Sequence, residues 1–197
     1  MEHLVFVALG DSLTVGFQSF GIDVPYTYFL KRKMTELLSS AGKAVEVKIH
    51  NRGINGDITS NMLRRFQSDV VDLQPDYVII LGGSNDLGWP LPVEEIYGNL
   101  RWMYVKALEN KIRPVACAVP SILGFDDLIA PRRELNRMIE QYCAENKLTF
   151  VDLFKATADP STGCLLEEYS DDGLHMTKEG YMRVADEVFK ALKPFLV

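Results

Sequence analysis

Ser12 follows Gly10-Asp11 directly after the apolar run Leu4-Val5-Phe6-Val7-Ala8-Leu9. A serine in a tight turn at the carboxyl end of a buried strand is where an α/β protein displays a nucleophile. Its hydroxyl attacks poorly until a base takes the proton. His175 is the natural base. Asp172, three residues earlier, can hold the imidazole tautomer and stabilise its cation. Spacing of three within a turn lets both side chains face the same way, and the order Ser…Asp…His suits an acyl-transfer triad. Asp171 competes for the orienting role on geometry alone. Two segments punctuated by glycine and asparagine lie between these ends: Asn51-Arg52-Gly53-Ile54-Asn55-Gly56-Asp57 and Gly82-Gly83-Ser84-Asn85-Asp86.

The elements that position these residues alternate strand and helix. Residues 4–9 form a continuous apolar run, as in a strand covered on both faces. Residues 26–41 carry Tyr28, Phe29, Met34, Leu37 and Leu38 at near-helical spacing, with Gly42 just past the end. Residues 45–50 alternate, which predicts an edge strand with one exposed face. Helix is predicted over 59–73, 93–110, 132–146 and 178–192, the last with Thr177 as N-cap. Strands are predicted over 77–81, 114–119 and 148–152. This alternation predicts one domain over 1–197: a three-layer α/β/α sandwich around a five-stranded parallel sheet in flavodoxin-like order. Ser12, Gly53–Asp57 and Gly82–Asp86 then fall past the carboxyl ends of the first three strands. That rim is where open α/β sheets bind their ligands.

Together the four segments resemble the SGNH, or GDSL, hydrolases, a family of serine esterases. The resemblance runs from Leu4 to about Tyr181, and Asp172-Gly173-Leu174-His175-Met176-Thr177-Lys178-Glu179-Gly180-Tyr181 looks like the family's last block. The family pattern Asp-x-x-His selects Asp172 over Asp171. The resemblance implies three oxyanion donors: the backbone amides of Ser12 and Gly56 and the side-chain amide of Asn85. Gly53 is the rival glycine, but Gly56-Asp57 before the Thr59-Ser60 helix start fits the family segment better. Asp11, Asp57 and Asp86 read as turn or cap carboxylates that pin the loops. The implied activity is hydrolysis of carboxylic esters through an acyl-enzyme, with no cofactor and no metal. Short acyl groups on small molecules or sugars are favoured, because no long insertion is available to build a lid. Phe17, Trp89, Ile122 and Leu174 are candidate substrate contacts, and ordinary loop packing is the alternative for each. An acyltransferase, or a lysophospholipase or thioesterase for longer chains, fits the same residues. A non-catalytic flavodoxin-like binding module would need a phosphate loop. No Gly-x-x-x-x-Gly-Lys-Thr/Ser is present, and that reading leaves Asp172 and His175 unexplained.

Composition narrows the partners. A net charge of −6 argues against a nucleic-acid surface, and a hydrophobic content of 47% is ample for a packed core. No apolar stretch approaches the roughly 20 residues that span a bilayer, so stable membrane insertion is not expected. Met1-Glu2-His3 lacks a positive leader region, which predicts a cytoplasmic protein. The expected partner is a small-molecule ester, and a homo-oligomer stays open. Cys117, Cys143 and Cys164 have no pairing or metal spacing, and the first two read as small buried hydrophobes. His3 and His50 read as structural.

Overall fold

The computed structural model describes residues 2–197. The chain runs β1 (Glu2–Gly10), α1 (Ser12–Val15), α2 (Tyr26–Ser40), β2 (Val45–Gly53), α3 (Thr59–Asp69), β3 (Tyr77–Leu81), α4 (Ser84–Gly88), α5 (Val93–Glu109), β4 (Arg113–Cys117), α6 (Ile129–Asn146), β5 (Thr149–Val151), α7 (Leu153–Thr157) and α8 (Lys178–Leu192). All sheet pairings are parallel, in the order β2-β1-β3-β4-β5. Gly10 at the end of β1 pairs with Gly53 of β2 and Leu81 of β3. Three strand ends therefore meet at one rim. The chain crosses from the β2 side to the β3 side there, and such a switch point opens a crevice between β1 and β3.

The pleat divides the core in two. Phe6 and Ala8 of β1 and Ile79 and Leu81 of β3 face one way, against Tyr26, Leu30 and Met34 of α2 and Tyr181, Val184 and Val188 of α8. Val7, Leu9, Val78 and Ile80 face the other way, against Met62 and Phe66 of α3, Leu100 and Met103 of α5 and Leu135 and Ile139 of α6. Side chains alternate across a strand, so a continuous apolar run can feed two helical layers at once. Cys117 and Cys143 are buried within these two cores. Burial pushes the Cys143 thiol up to about 12 and Cys117 well above its ordinary range, which disfavours the thiolate in both.

The edge reading of residues 45–50 holds, since β2 closes one side of the sheet. Several boundaries differ from the sequence prediction. The helix predicted over 59–73 stops at Asp69; Val70 leaves helical geometry, and Val71–Leu73 form a separate 3-10 turn. The helix predicted from 132 begins at Ile129, because Pro131 sits in the first turn, where its missing N–H costs nothing. The strand predicted to 119 ends at Cys117. Beyond it the buried Asn136 amide of α6 takes over both Val119 groups, accepting from its N–H at 2.7 Å and donating to its carbonyl at 2.9 Å. β2 continues to Gly53, so that glycine ends the strand rather than starting the loop. Among the described residues no helix is long and apolar enough to cross a membrane.

Candidate active site

Ser12 is the first residue of α1, a single turn fixed at both ends. The Asp11 carboxylate accepts from the Leu13 amide at 2.9 Å, and Gly16 closes the turn in the left-handed region at φ 89°. Burial pushes the Asp11 carboxyl up to about 7, against the Leu13 hydrogen bond; the charges of Asp86 and Asp57 add to the rise. Ser12 is buried apart from 6% of its surface.

His175 comes to Ser12 from the other end of the chain. Its Nε2 lies 3.1 Å from Ser12 Oγ, and its Nδ1 lies 2.7 Å from Asp172 Oδ2. The intervening turn is built by the same carboxylate: Asp172 Oδ1 accepts from the Leu174 amide at 2.8 Å and the His175 amide at 2.7 Å. Asp172 opens its own local turn, which is why three-residue spacing brings the pair together. Partial burial works against its charge, but hydrogen bonds from Ser19, His175 and the two amides outweigh it and hold the carboxyl far below the usual range. Ser170 Oγ bridges the segment by donating to the His175 carbonyl at 2.6 Å. The Phe17 ring packs edge-on against the imidazole, with centroids 4.6 Å apart. Asp171 is exposed, and none of the hydrogen bonds linking this cluster uses it.

The two glycine- and asparagine-rich segments come together across the crevice. Asn85, in the first turn of α4, donates from Nδ2 to the Asp57 carbonyl at 2.9 Å. One amide hydrogen of Asn85 remains for a ligand. Gly56 has φ 73° and a Cβ there would meet open space, whereas a Cβ at Gly53 would collide with the backbone of Thr14 and Val15. Gly53 thus serves close packing, and Gly56 lies at the open surface of the loop.

Carboxylates hold this loop, as the sequence suggests. Asp86 accepts from the Thr59 amide at 3.0 Å and from its hydroxyl at 2.5 Å. Asp57 accepts from Arg65 Nε at 2.8 Å. Arg65 also donates to the carbonyls of Arg52 at 2.8 Å and Gly10 at 2.9 Å, tying the ends of β1 and β2 to the loop.

The four candidate substrate contacts sit on four different loops. Phe17 touches His175; Leu174 lies within the Asp172 turn, partly exposed. Ile122 is buried and its carbonyl accepts from the Leu165 amide, while Trp89 is exposed just past α4. Sequence reasoning missed Arg65, Ser19 and Ser170. No spacing flags Ser19, which stands 153 positions from Asp172.

Comparisons with known proteins bear on the family of the chain. The model of the GDSL-like Lipase/Acylhydrolase family matches residues 8–183. The lipase/acylhydrolase of Enterococcus faecalis superposes with a TM-score of 0.81 at 26% identity, covering 98% of this chain and 96% of that one. The acetylxylan esterase of Geobacillus stearothermophilus is 25% identical over 207 residues, covering 93% of this chain and 90% of its own. The N-acylneuraminate cytidylyltransferase of Streptococcus agalactiae serotype III is 23% identical over 175 residues, which are 83% of this chain but only 41% of that protein. A family match that begins in β1, before Ser12, and ends in α8, past His175, takes in the whole rim. The chain therefore belongs to the GDSL-like lipase/acylhydrolase family.

Proposed function

We propose that the chain hydrolyses short-acyl esters of small molecules or sugars through an acyl-enzyme on Ser12. The carrying observation is the continuous hydrogen-bonded path from Ser12 Oγ through His175 to Asp172, at 3.1 and 2.7 Å. Ser12 Oγ attacks the ester carbonyl while His175 Nε2 accepts its proton. Asp172 steadies the resulting imidazolium. The tetrahedral oxyanion is held by the Ser12 and Gly56 amides and by the free Asn85 hydrogen. Collapse expels the alcohol, which takes the proton from His175. Water then enters, His175 removes its proton, and the acyl group leaves as the acid. None of these steps calls for a metal or cofactor.

Two observations support a short acyl group on a polar alcohol. The Geobacillus relative named an acetylxylan esterase aligns along nearly its whole length. A cleft of about 630 Å³ beyond Leu123 mixes Asp159, Thr162, Glu167 and Glu168 with leucines. It borders the catalytic turn, since the Leu123 amide donates to the Gly173 carbonyl at 2.9 Å. Hydroxyl and carboxylate groups suit a hydroxyl-rich leaving group better than an alkyl tail. One feature favours longer chains: Phe20 and Ile22, on the loop that carries Phe17, are largely exposed.

The test is hydrolysis of p-nitrophenyl esters from acetate upward, with Ser12→Ala in parallel. The expected result is a maximum at acetate or butyrate that vanishes in Ser12→Ala. A maximum at long chains overturns the short-acyl reading. Activity retained by Ser12→Ala overturns the mechanism.

A further inference from the structure

The loop between α1 and α2 folds back on the Ser12–His175–Asp172 path. It closes on itself through the Val24 amide and the Gly16 carbonyl at 3.1 Å. The Gln18 amide donates to Asp23 Oδ1 at 3.1 Å, and Gln18 Nε2 to the Ile22 carbonyl at 2.7 Å. Tyr181 of α8 anchors its root by donating to the Phe17 carbonyl at 2.7 Å. The loop is therefore held without any help from Ser19. The Ser19 hydroxyl leaves the loop and donates to Asp172 Oδ2. That is the oxygen that receives His175 Nδ1. The other oxygen, Oδ1, is engaged by the turn amides. A carboxylate oxygen has two lone-pair directions, and in Asp172 Oδ2 one holds the imidazole and the other holds Ser19.

We propose that Ser19 is a positioning residue for the ester hydrolysis, fixing the Asp172 oxygen that orients His175 and drawing off part of its charge. The inference rests on the proposed roles of Ser12, His175 and Asp172. With Ser19 in place, Oδ2 is pinned from two sides and attracts the imidazolium less strongly. Without it, the charge on Oδ2 acts on His175 alone and holds the imidazolium formed during attack more tightly. The other titratable groups around this site are Asp11 beside Ser12, Asp23 on the loop, Asp171 in the turn and Tyr181 on α8. Substitution of Ser19 leaves all of them in place.

The experiment compares kcat/KM against pH on p-nitrophenyl acetate for the parent, Ser19→Ala, Ser19→Thr and Ser12→Ala. In Ser19→Ala the acid limb is expected to move up by about half a pH unit, which is about a threefold loss on that limb. The plateau kcat should fall several-fold with KM within about twofold, the mark of an interaction that acts on the chemical step. Ser19→Thr keeps the hydroxyl and should restore the limb. Superimposable pH profiles for parent and Ser19→Ala overturn the proposal, as does failure of Ser19→Thr to restore a shifted limb. Ser12→Ala separates the two levels. If it is inactive while Ser19→Ala has the parent's profile, only the Ser19 inference fails. If it is active, the underlying mechanism fails first.

Discussion

Arg65→Met removes the cation that ties the Gly56 loop to the ends of β1 and β2 and keeps most of the side-chain stem. The Arg65 side chain is 14% exposed and its partner Asp57 only 5%. Breaking such a buried pair from one side leaves a desolvated carboxylate and typically costs about 3–5 kcal/mol. The carbonyls of Gly10 and Arg52 also lose a donor, at about 1 kcal/mol each where water cannot replace it. Asp69, at 24% exposure, recovers part of its loss by hydration. The expected total, about 5–7 kcal/mol, is a large fraction of the roughly 5–15 kcal/mol that stabilises an ordinary domain. The assay is urea unfolding followed by circular dichroism, with a control that carries Asp57→Asn as well. The second substitution removes the stranded charge, so the double variant should lose about 1–3 kcal/mol less than the sum of the two single losses. Kinetics on a short ester should fall in step, because the Asp57 carbonyl that anchors Asn85 belongs to the same loop. A loss under about 1 kcal/mol in Arg65→Met, or strictly additive losses in the double variant, would refute the reasoning.

Asn85→Ala should lower kcat by about 10²–10³-fold with KM little changed, as loss of one oxyanion donor does elsewhere. Ser12 should still take a fluorophosphonate label, and an undiminished kcat removes Asn85 from the oxyanion role. Asp11→Asn tests the buried carboxyl whose folded value lies near 7 against an ordinary 3.8. The raised value means that the folded state holds the extra proton, so this contribution is full below about pH 4 and is lost as pH rises through 7. Unfolding free energies at pH 5 and pH 8 should therefore move in favour of Asp11→Asn by an amount on the order of a few kcal/mol. Parallel stability profiles would contradict the assignment.

The strongest sequence signals were local ones. The run at residues 4–9 is apolar at every position, which only a strand covered on both faces needs, and it indeed feeds both cores. The alternation at 45–50 marked an edge for the same reason. The Asp172–His175 pair was legible because a single turn joins them, with the carboxylate capping the amides of that turn. Boundaries were less legible where a distant group decides them. The end of β4 depends on the Asn136 amide reaching back from α6, and no pattern near Val119 carries that information. The start of α6 was hidden by Pro131, which breaks a helix interior but fits a first turn.

The sequence by itself determined the βα alternation, the rim segments and the residue types that can perform acyl transfer, because spacing along the chain sets which side chains share a face or a turn. The tertiary structure decided how those segments meet. It brought His175 Nε2 to Ser12 Oγ across 163 positions, sent Ser19 to Asp172, and placed Arg65 under the loop that carries Gly56. Such contacts depend on where a whole helix or loop docks, and docking is fixed by packing summed over two cores rather than by any residue's neighbours in the chain.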